Sequence, residues 1–218
     1  MKKDFAVLGL GDFGQALCRE LTSLGAELIA IDMDEEKVNS VAEFVTYVYC
    51  CDCTKKSSLD KLNLQSVECV IVALGDDLQS LILTVILLKE LDVKKIIACS
   101  EDKGVNRVLK HLGVDEVIDT RELAVNNLGY RLLSRSVTQY FELTDSHSVA
   151  TLRYQGEEPS ATLIEMDVRG KYDLNVLLIR RNGKDIVPTG ATRFEPGDEI
   201  VVFGTKSAIK RMDNKTIK

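Results

Sequence analysis

The clearest chemistry in this sequence lies in three glycines and one aspartate near the amino terminus. Gly9, Gly11 and Gly14 have the G-x-G-x-x-G spacing. Asp32 follows about 20 residues after this turn. In such an arrangement the glycines allow a tight turn, close approach of a pyrophosphate and close packing of a helix, and the acidic residue binds a ribose diol. The four residues predict a dinucleotide-type binding site.

A strand, a helix and a second strand must surround these glycines if the spacing is to have this meaning. Residues 5–8 are apolar and lead directly into the turn, and residues 27–31 are predicted to form a second strand. Between them Leu17, Leu21 and Leu24 recur on one face of a helix, whose first N–H groups would point at phosphate. A chance glycine hexad in a loop is the alternative, and this context argues against it.

Two aspartates compete for the ribose at the end of the second strand. We assign this role to Asp32, because it ends the apolar run. Asp34 better suits the N-cap of a helix over residues 35–42.

The alternation of strands and helices continues through the first half of the chain. Strands are predicted near residues 46–51, 69–73, 95–98 and 116–118, and helices over residues 57–62, 78–91, 105–112 and 121–135. This order predicts an α/β fold, a Rossmann-like doubly wound parallel sheet. Right-handed crossovers place Gly9, Asp32, Asp52 and Ala73 at one sheet edge, where a ligand should lie.

The pattern changes near residue 136 to strands of period two with turn signals. Strands are predicted at residues 149–154, 175–181 and 199–203, a break at residues 156–159, a hairpin turn at Asn182-Gly183 and a closing helix at residues 207–212. We therefore predict a nucleotide-binding domain over residues 1–136 and a small α+β domain over residues 137–218.

Charge and composition exclude several classes of function. The net charge is -6 and no Lys/Arg cluster is present, which argues against nucleic-acid binding. The longest apolar run is too short to span a bilayer, so a cytoplasmic location is predicted. The six cysteines are expected to be reduced. Cys50 and Cys53 form one C-x-x-C, but without a second pair a zinc site is not favoured and no metal site is predicted.

Catalytic motifs are missing. The sequence has no G-x-S-x-G, no H-E-x-x-H and no Walker A motif. His111 and His147 are interpreted as structural residues. A nucleotide site without an acid, a base or a hydride acceptor pocket predicts a sensor and not an enzyme.

Several segments resemble the RCK (regulator of K+ conductance) family, specifically its KtrA/TrkA-type cytosolic subunits of potassium uptake systems. These are FAVLGLGDFG, AIDMDEEKV, VIVALGDDLQS, LTVILLKEL and RVLKHLGVDEVI, and the domain after Val137 resembles the family's C-terminal ligand-binding domain. The resemblance implies a homodimer that assembles into a ring, commonly an octamer, beneath a membrane potassium-translocating subunit of KtrB/TrkH type. It also implies a protein peripheral to the inner face of the membrane, which changes conformation when an adenine nucleotide binds.

Carried over by position, the resemblance implies one set of cofactor-binding residues: Gly9, Gly11, Asp12, Phe13, Gly14, Asp32, Met33, Lys37, Asp52, Cys53, Thr54, Ala73, Leu74 and Gly75. Two positions depart from the family pattern. KtrA-type members often carry Arg where this chain has Asp12, and a basic residue where it has Ala98-Cys99. ATP, ADP and NAD(H) therefore all stay open as ligands.

A region of the second domain resembles the cyclic di-AMP pocket of some KtrA-type proteins: Leu163, Ile164, Arg169, Lys171, Asn175, Val176 and Pro188. Core packing and solvated charges are the alternative for these residues. For the whole chain we expect a potassium-transport gating subunit. The alternatives are a small NAD-dependent oxidoreductase, which the Gly9 to Asp32 unit also permits, and a regulator of another partner such as an antiporter.

Overall fold

A computed structural model describes residues 4–75, 77–156 and 159–214. The chain forms two compact units, Met1–Glu122 and Leu123–Lys218. This division falls before the boundary predicted near residue 136, because most of one helix clusters with the second unit. In that helix the Tyr130 ring stacks on Tyr140 with centroids 3.9 Å apart. Asn127 also donates a 2.6 Å hydrogen bond to the Tyr140 carbonyl.

The first unit is a six-stranded parallel sheet with strand order β3-β2-β1-β4-β5-β6. Its strands are β1 Phe5–Leu8, β2 Leu28–Asp32, β3 Tyr47–Cys50, β4 Cys69–Val72, β5 Ile96–Cys99 and β6 Glu116–Ile118. Its helices are α1 Asp12–Ser23, α2 Glu35–Ala42, α3 Lys56–Leu59, α4 Leu78–Glu90 and α5 Lys103–His111, and α6 Thr120–Leu133 crosses into the second unit. The Rossmann-like prediction is confirmed.

The sheet is covered on both faces, so its strands read as continuous apolar runs. Successive residues of β1 point to opposite faces: Leu8 lies in one buried cluster with Ile29 and Leu81, and Val7 lies in the other with Ala30. A parallel sheet buried in this way leaves its polar groups at the strand ends.

Aspartates begin three of the helices at this edge. The Asp34 carboxylate accepts hydrogen bonds from the N–H groups of Glu36 at 2.9 Å and Lys37 at 3.4 Å, which confirms its assignment as an N-cap. Asp77 caps α4 and Asp102 caps α5 in the same manner. Helix α5 therefore begins two residues before the predicted start at Val105.

The second unit is a five-stranded antiparallel sheet with strand order β10-β9-β11-β8-β7. Its elements are β7 Val137–Glu142, β8 His147–Arg153, α7 Leu163–Met166, α8 Val168–Tyr172, β9 Leu174–Arg181, β10 Lys184–Ile186, β11 Glu199–Thr205 and α9 Lys206–Asp213. Asn182 and Gly183 have φ of 50° and 75°, as their predicted hairpin turn requires. In the predicted break, residues 157 and 158 lie outside the described residues.

A buried aspartate ties the β9 strand to the turn before β11. The Asp198 side chain is 1% exposed and accepts 2.8 Å hydrogen bonds from Nε and Nη2 of Arg181. Burial by itself would raise the pKa of Asp198, but the hydrogen bonds and charge of Arg181 and the N–H of Glu195 outweigh it and lower that pKa.

None of the helices in the described part of the chain is long and apolar enough to cross a membrane.

Candidate functional site

The three glycines of the turn have different surroundings. Gly9 has φ of +96°, and a Cβ there would collide with the Ala73 carbonyl. A Cβ on Gly14 would collide with the Gly9 carbonyl oxygen, so α1 can approach β1 only with a glycine there. At Gly11 a Cβ would meet nothing within 4 Å, so this position faces open space. Gly9 and Gly14 shape the turn, and Gly11 leaves room beside it.

Asp32 joins the glycine turn to the end of β2. Its side chain is buried, and the residue is 8% exposed. Oδ2 accepts a 2.6 Å hydrogen bond from the Leu10 N–H, and Oδ1 accepts one of 2.9 Å from the Asp34 N–H. Each carboxylate oxygen has a second lone pair, so the group can also accept from a ligand hydroxyl.

A first cavity of about 540 Å³ lies at the carboxyl edge of the sheet. Its lining residues are Gly9, Gly11, Asp32, Met33, Asp34, Lys37, Cys51, Asp52, Cys53, Thr54, Ala73, Leu74, Gly75, Asp77 and Ser80. The cavity brings together every residue of the predicted set except Asp12, Phe13 and Gly14. The strand-end rule predicts this placement, because parallel strands end at one edge.

Carboxylates around the first cavity are held by local hydrogen bonds. Asp52 accepts bonds from the Thr54 hydroxyl at 2.6 Å and the Thr54 N–H at 2.9 Å, and these bonds, with Lys55, lower the pKa of Asp52. The hydroxyl and N–H of Ser80 lower the pKa of Asp77 in the same way. Both groups are therefore anionic at neutral pH.

A second cavity of about 350 Å³ lies on the other side of the turn and contains the three predicted residues missing from the first. Its lining residues are Gly11, Asp12, Phe13, Gly14, Ala73, Gly75, Cys99, Ser100, Glu101, Thr120 and Arg121. The last five were not predicted. They lie at or just after the ends of β5 and β6, so extending the strand-end rule across the whole sheet would have found them.

Two cysteines of the C-x-x-C segment, Cys51 and Cys53, line the first cavity. Burial raises the pKa of Cys53 to about 12 and also raises the pKa of Cys51. In residues 4–75, 77–156 and 159–214, no group of three or more His, Cys, Asp or Glu side chains is placed to hold a metal ion.

A third cavity of about 420 Å³ lies in the second unit. It is lined by Leu163, Ile164, Asp167, Val168, Arg169, Leu174, Asn175, Val176, Pro188, Thr189 and Gly190. It contains the residues of the predicted cyclic di-AMP region except Lys171, which is not part of the lining.

Two family models match this chain, one in each unit. The TrkA-N domain model matches residues 5–120, and the TrkA-C domain model matches residues 161–216. The chain belongs to the KtrA/TrkA-type family of RCK proteins. Ktr system potassium uptake protein C of Bacillus subtilis (strain 168) is 33% identical and covers 100% of this chain and 99% of its own length. Protein A of the same system and organism is 34% identical, covering 98% and 96%.

Solved structures share the RCK fold. The GsuK RCK domain has a TM-score of 0.68 at 19% identity, covering 100% of this chain and 48% of its own. The GsuK channel bound to NAD has a TM-score of 0.67 at 20% identity, covering 95% and 38%. This RCK-family chain thus spans less than half the length of the GsuK chains, and the likeness to them concerns the fold.

Proposed function

We propose that this protein is the cytoplasmic regulatory subunit of a potassium uptake transporter, and that an adenine nucleotide bound in the first cavity switches the membrane subunit. One observation carries the proposal. Asp32 and the open side of Gly11 face a single cavity, in a chain that matches Ktr proteins over nearly its full length.

In this proposal each part of the nucleotide has a defined partner. The phosphates lie at Gly11 and the first turn of α1, where free N–H groups and the helix dipole favour anions. Asp32 accepts the ribose hydroxyls. The adenine lies toward Met33, Lys37 and Thr54, which also line the cavity.

Gating requires that the nucleotide bind two conformations unequally, because a ligand shifts an equilibrium only by its differential affinity. The proposed partner is a membrane subunit of KtrB/TrkH type, and the proposed assembly is a homodimer that forms an octameric ring. The protein is then peripheral to the inner face of the membrane. The family relationship supports this arrangement.

The competing function is a small NAD-dependent oxidoreductase. Such enzymes commonly position a His or Tyr as the proton donor or acceptor beside the reacting carbon. Neither residue type is among the described residues that line the first and second cavities. This lining supports a receptor over an enzyme. Sustained turnover of NADH with a small substrate would contradict the regulatory proposal.

The nucleotide proposal is tested by calorimetric titration of the purified protein with ATP, ADP, NAD+ and NADH. We expect at least one to bind, and Asp32→Ala to weaken it roughly tenfold to a hundredfold, since hydrogen bonds to a charged group contribute about 1.5–3 kcal/mol. Asp102→Ala is the matched control, because it removes a helix cap at the same edge but does not line either cavity.

Asp32→Ala also removes the acceptor for the Leu10 N–H, so its melting temperature must be compared with that of Asp102→Ala. Unchanged affinity in a folded Asp32→Ala protein would contradict the ribose assignment. Gating is tested by potassium flux into proteoliposomes that hold a KtrB-type subunit. Flux that does not respond to the nucleotide would contradict regulation through this site.

We also propose cyclic di-AMP as a ligand of the third cavity, because Arg169 lines it and can bind a cyclic phosphate. Arg169→Ala should abolish binding in a titration with cyclic di-AMP. Lys171→Ala should not, since Lys171 lies outside the lining. If the wild-type protein does not bind cyclic di-AMP, the cavity has only the packing role considered as its alternative.

A further inference from the structure

The first and second cavities lie side by side on the two faces of the glycine turn. They share Gly11, Ala73 and Gly75 as lining residues, and their volumes are about 540 and 350 Å³. A nucleotide with adenosine in the first cavity and phosphates at Gly11 therefore directs its far end into the second cavity. What that cavity accepts decides which nucleotide the protein binds.

The lining of the two cavities is rich in carboxylates: Asp12, Asp32, Asp34, Asp52, Asp77 and Glu101. Among the described lining residues only Lys37 and Arg121 are cationic, and both already have acidic partners. Lys37 Nζ lies 4.0 Å from Asp34, and Arg121 Nη2 is bound to Glu101. The two cavities together therefore carry an excess of negative charge, to which Asp12 and Glu101 contribute in the second cavity.

Glu101 is held from two sides in the second cavity. One of its oxygens binds Arg121, and the other accepts a 3.1 Å hydrogen bond from the Thr120 hydroxyl. The Arg121 side chain is 66% exposed. Without its bond to Glu101, the guanidinium would be free to bind a ligand. Glu101 thereby neutralises Arg121, the one cation among the described residues that line this cavity.

Asp12 and Phe13 complete the far cavity. Asp12 is exposed in the first turn of α1 and lines this cavity together with Gly11, the proposed phosphate position. The Phe13 ring, 39% exposed, offers an apolar surface on which a planar heterocycle can stack. The same cavity thus opposes a terminal phosphate and suits a second nucleoside.

We propose that Asp12 and Glu101 make this site select a dinucleoside pyrophosphate of the NAD type over a nucleoside triphosphate. The inference rests on the proposed nucleotide-binding function. A dinucleotide has only its two bridging phosphates at Gly11 and places a neutral or cationic heterocycle beyond them. A triphosphate places its most highly charged group beside Asp12, where like charges repel, and beside an Arg121 whose charge Glu101 already neutralises.

The test is calorimetric titration of the purified full-length protein with AMP, NAD+ and ATP. We expect NAD+ to bind more tightly than ATP, both with a chelator and with millimolar Mg²⁺, and we expect the difference to shrink as salt rises. Glu101→Gln and Asp12→Asn should each raise the affinity for ATP about three- to tenfold relative to NAD+.

Glu20→Gln is the matched control, because it removes one exposed carboxylate from α1 outside both cavities. It should leave the ratio of NAD+ to ATP affinities unchanged. Adding Arg121→Gln to Glu101→Gln should remove most of the gain in ATP affinity, because the released guanidinium is then absent. A purely structural role for Glu101 would change all three ligands in parallel.

The outcomes separate the inference from the function on which it rests. If AMP binds but ATP binds as tightly as NAD+, or Glu101→Gln leaves their ratio unchanged, the inference is overturned and the nucleotide-binding function stands. A reversal in favour of ATP with Mg²⁺ also overturns it, since the carboxylates would then serve a cation. If AMP, NAD+ and ATP all fail to bind, both are wrong.

Discussion

Individual residues of the glycine turn carry separable tasks. Gly9 and Gly14 are held against backbone carbonyls, whereas Gly11 faces the open cleft with φ of -66°, a value that any residue adopts. A methyl group is therefore tolerated by the fold only at Gly11, which is also the position where it would obstruct a phosphate.

Gly11→Ala should accordingly impair mainly AMP binding, and Gly14→Ala should impair mainly the stability of the fold. Gly11→Ala should lower the free energy of unfolding by only about 0.5–1 kcal/mol, because Ala is a poorer N-cap than Gly, but weaken AMP binding by about tenfold or more. In Gly14→Ala the helix-propensity gain of about 1 kcal/mol should be outweighed by a clash costing roughly 1–3 kcal/mol.

Urea unfolding and AMP titration of both variants measure these effects. A Gly11→Ala protein that folds and binds AMP as the wild type does would contradict the assignment of the phosphate site.

Within the elements of the second unit, the connection between β9 and the turn before β11 depends on Arg181. This side chain is 22% exposed and contacts the buried Asp198 as well as Glu195. Its neighbour Arg180 pairs with Asp185, but both of those side chains are about half exposed, at 53% and 51%. Two adjacent arginines on one strand thus make a buried and an exposed ion pair.

Arg181→Met should destabilise the second unit by about 3 kcal/mol at pH 7, because it leaves a buried carboxylate without its cation. The pKa of Asp198 is lowered in the folded protein, so its contribution is present above the unfolded pKa and is lost as pH falls through the folded pKa. The difference between wild type and variant should therefore shrink on acidification below about pH 4.

Denaturant unfolding at pH 7 and at about pH 3, below the usual carboxyl pKa, checks this prediction, with Arg180→Met as the matched control. The exposed pair should contribute roughly 1 kcal/mol or less. Equal losses in the two variants would show that burial of Asp198 does not matter.

Turns and helix caps were predicted correctly from the sequence where they depend only on neighbouring residues. The hairpin at Asn182-Gly183 and the Asp34 cap need only neighbouring residues. Helices α7 and α8 were not predicted, because segments of four and five residues are too short to show a period. The Thr162–Glu165 capping box was their one readable signal.

On the scale of the whole molecule, helix α6 exposes a row of apolar side chains. Val125, Leu128 and Leu132 recur at helical spacing and are 58%, 51% and 75% exposed. Such a row is costly in water and typical of a surface that another chain covers. It agrees with the homo-oligomer proposed for this protein.

Leu128→Glu combined with Leu132→Glu should therefore lower the assembly mass measured by sedimentation velocity. The charges would have to be buried in the interface, which costs several kcal/mol per group. Leu24→Glu is the control, since Leu24 is 74% exposed and belongs to the first unit and not to this helix. An unchanged mass in the double variant would exclude α6 from the interface.

The candidate site was predictable in part. Gly9, Asp32 and the residues after β3 and β4 follow from motif spacing and from the strand-end rule. Glu101 and Arg121 were missed because their approach to Gly11 depends on the order of β1, β4, β5 and β6 across the sheet, which no local pattern records. The role of the predicted set in binding stays a prediction.

The carboxylates that line the first and second cavities differ in how much the stability of the fold depends on them. Asp34 and Asp77 cap helices and Asp32 holds the Leu10 N–H, so replacing any of them sacrifices stability together with charge. The described contacts of Asp12 and Glu101 include no backbone N–H. Ligand preference in this lineage can therefore drift through these two positions while the fold persists.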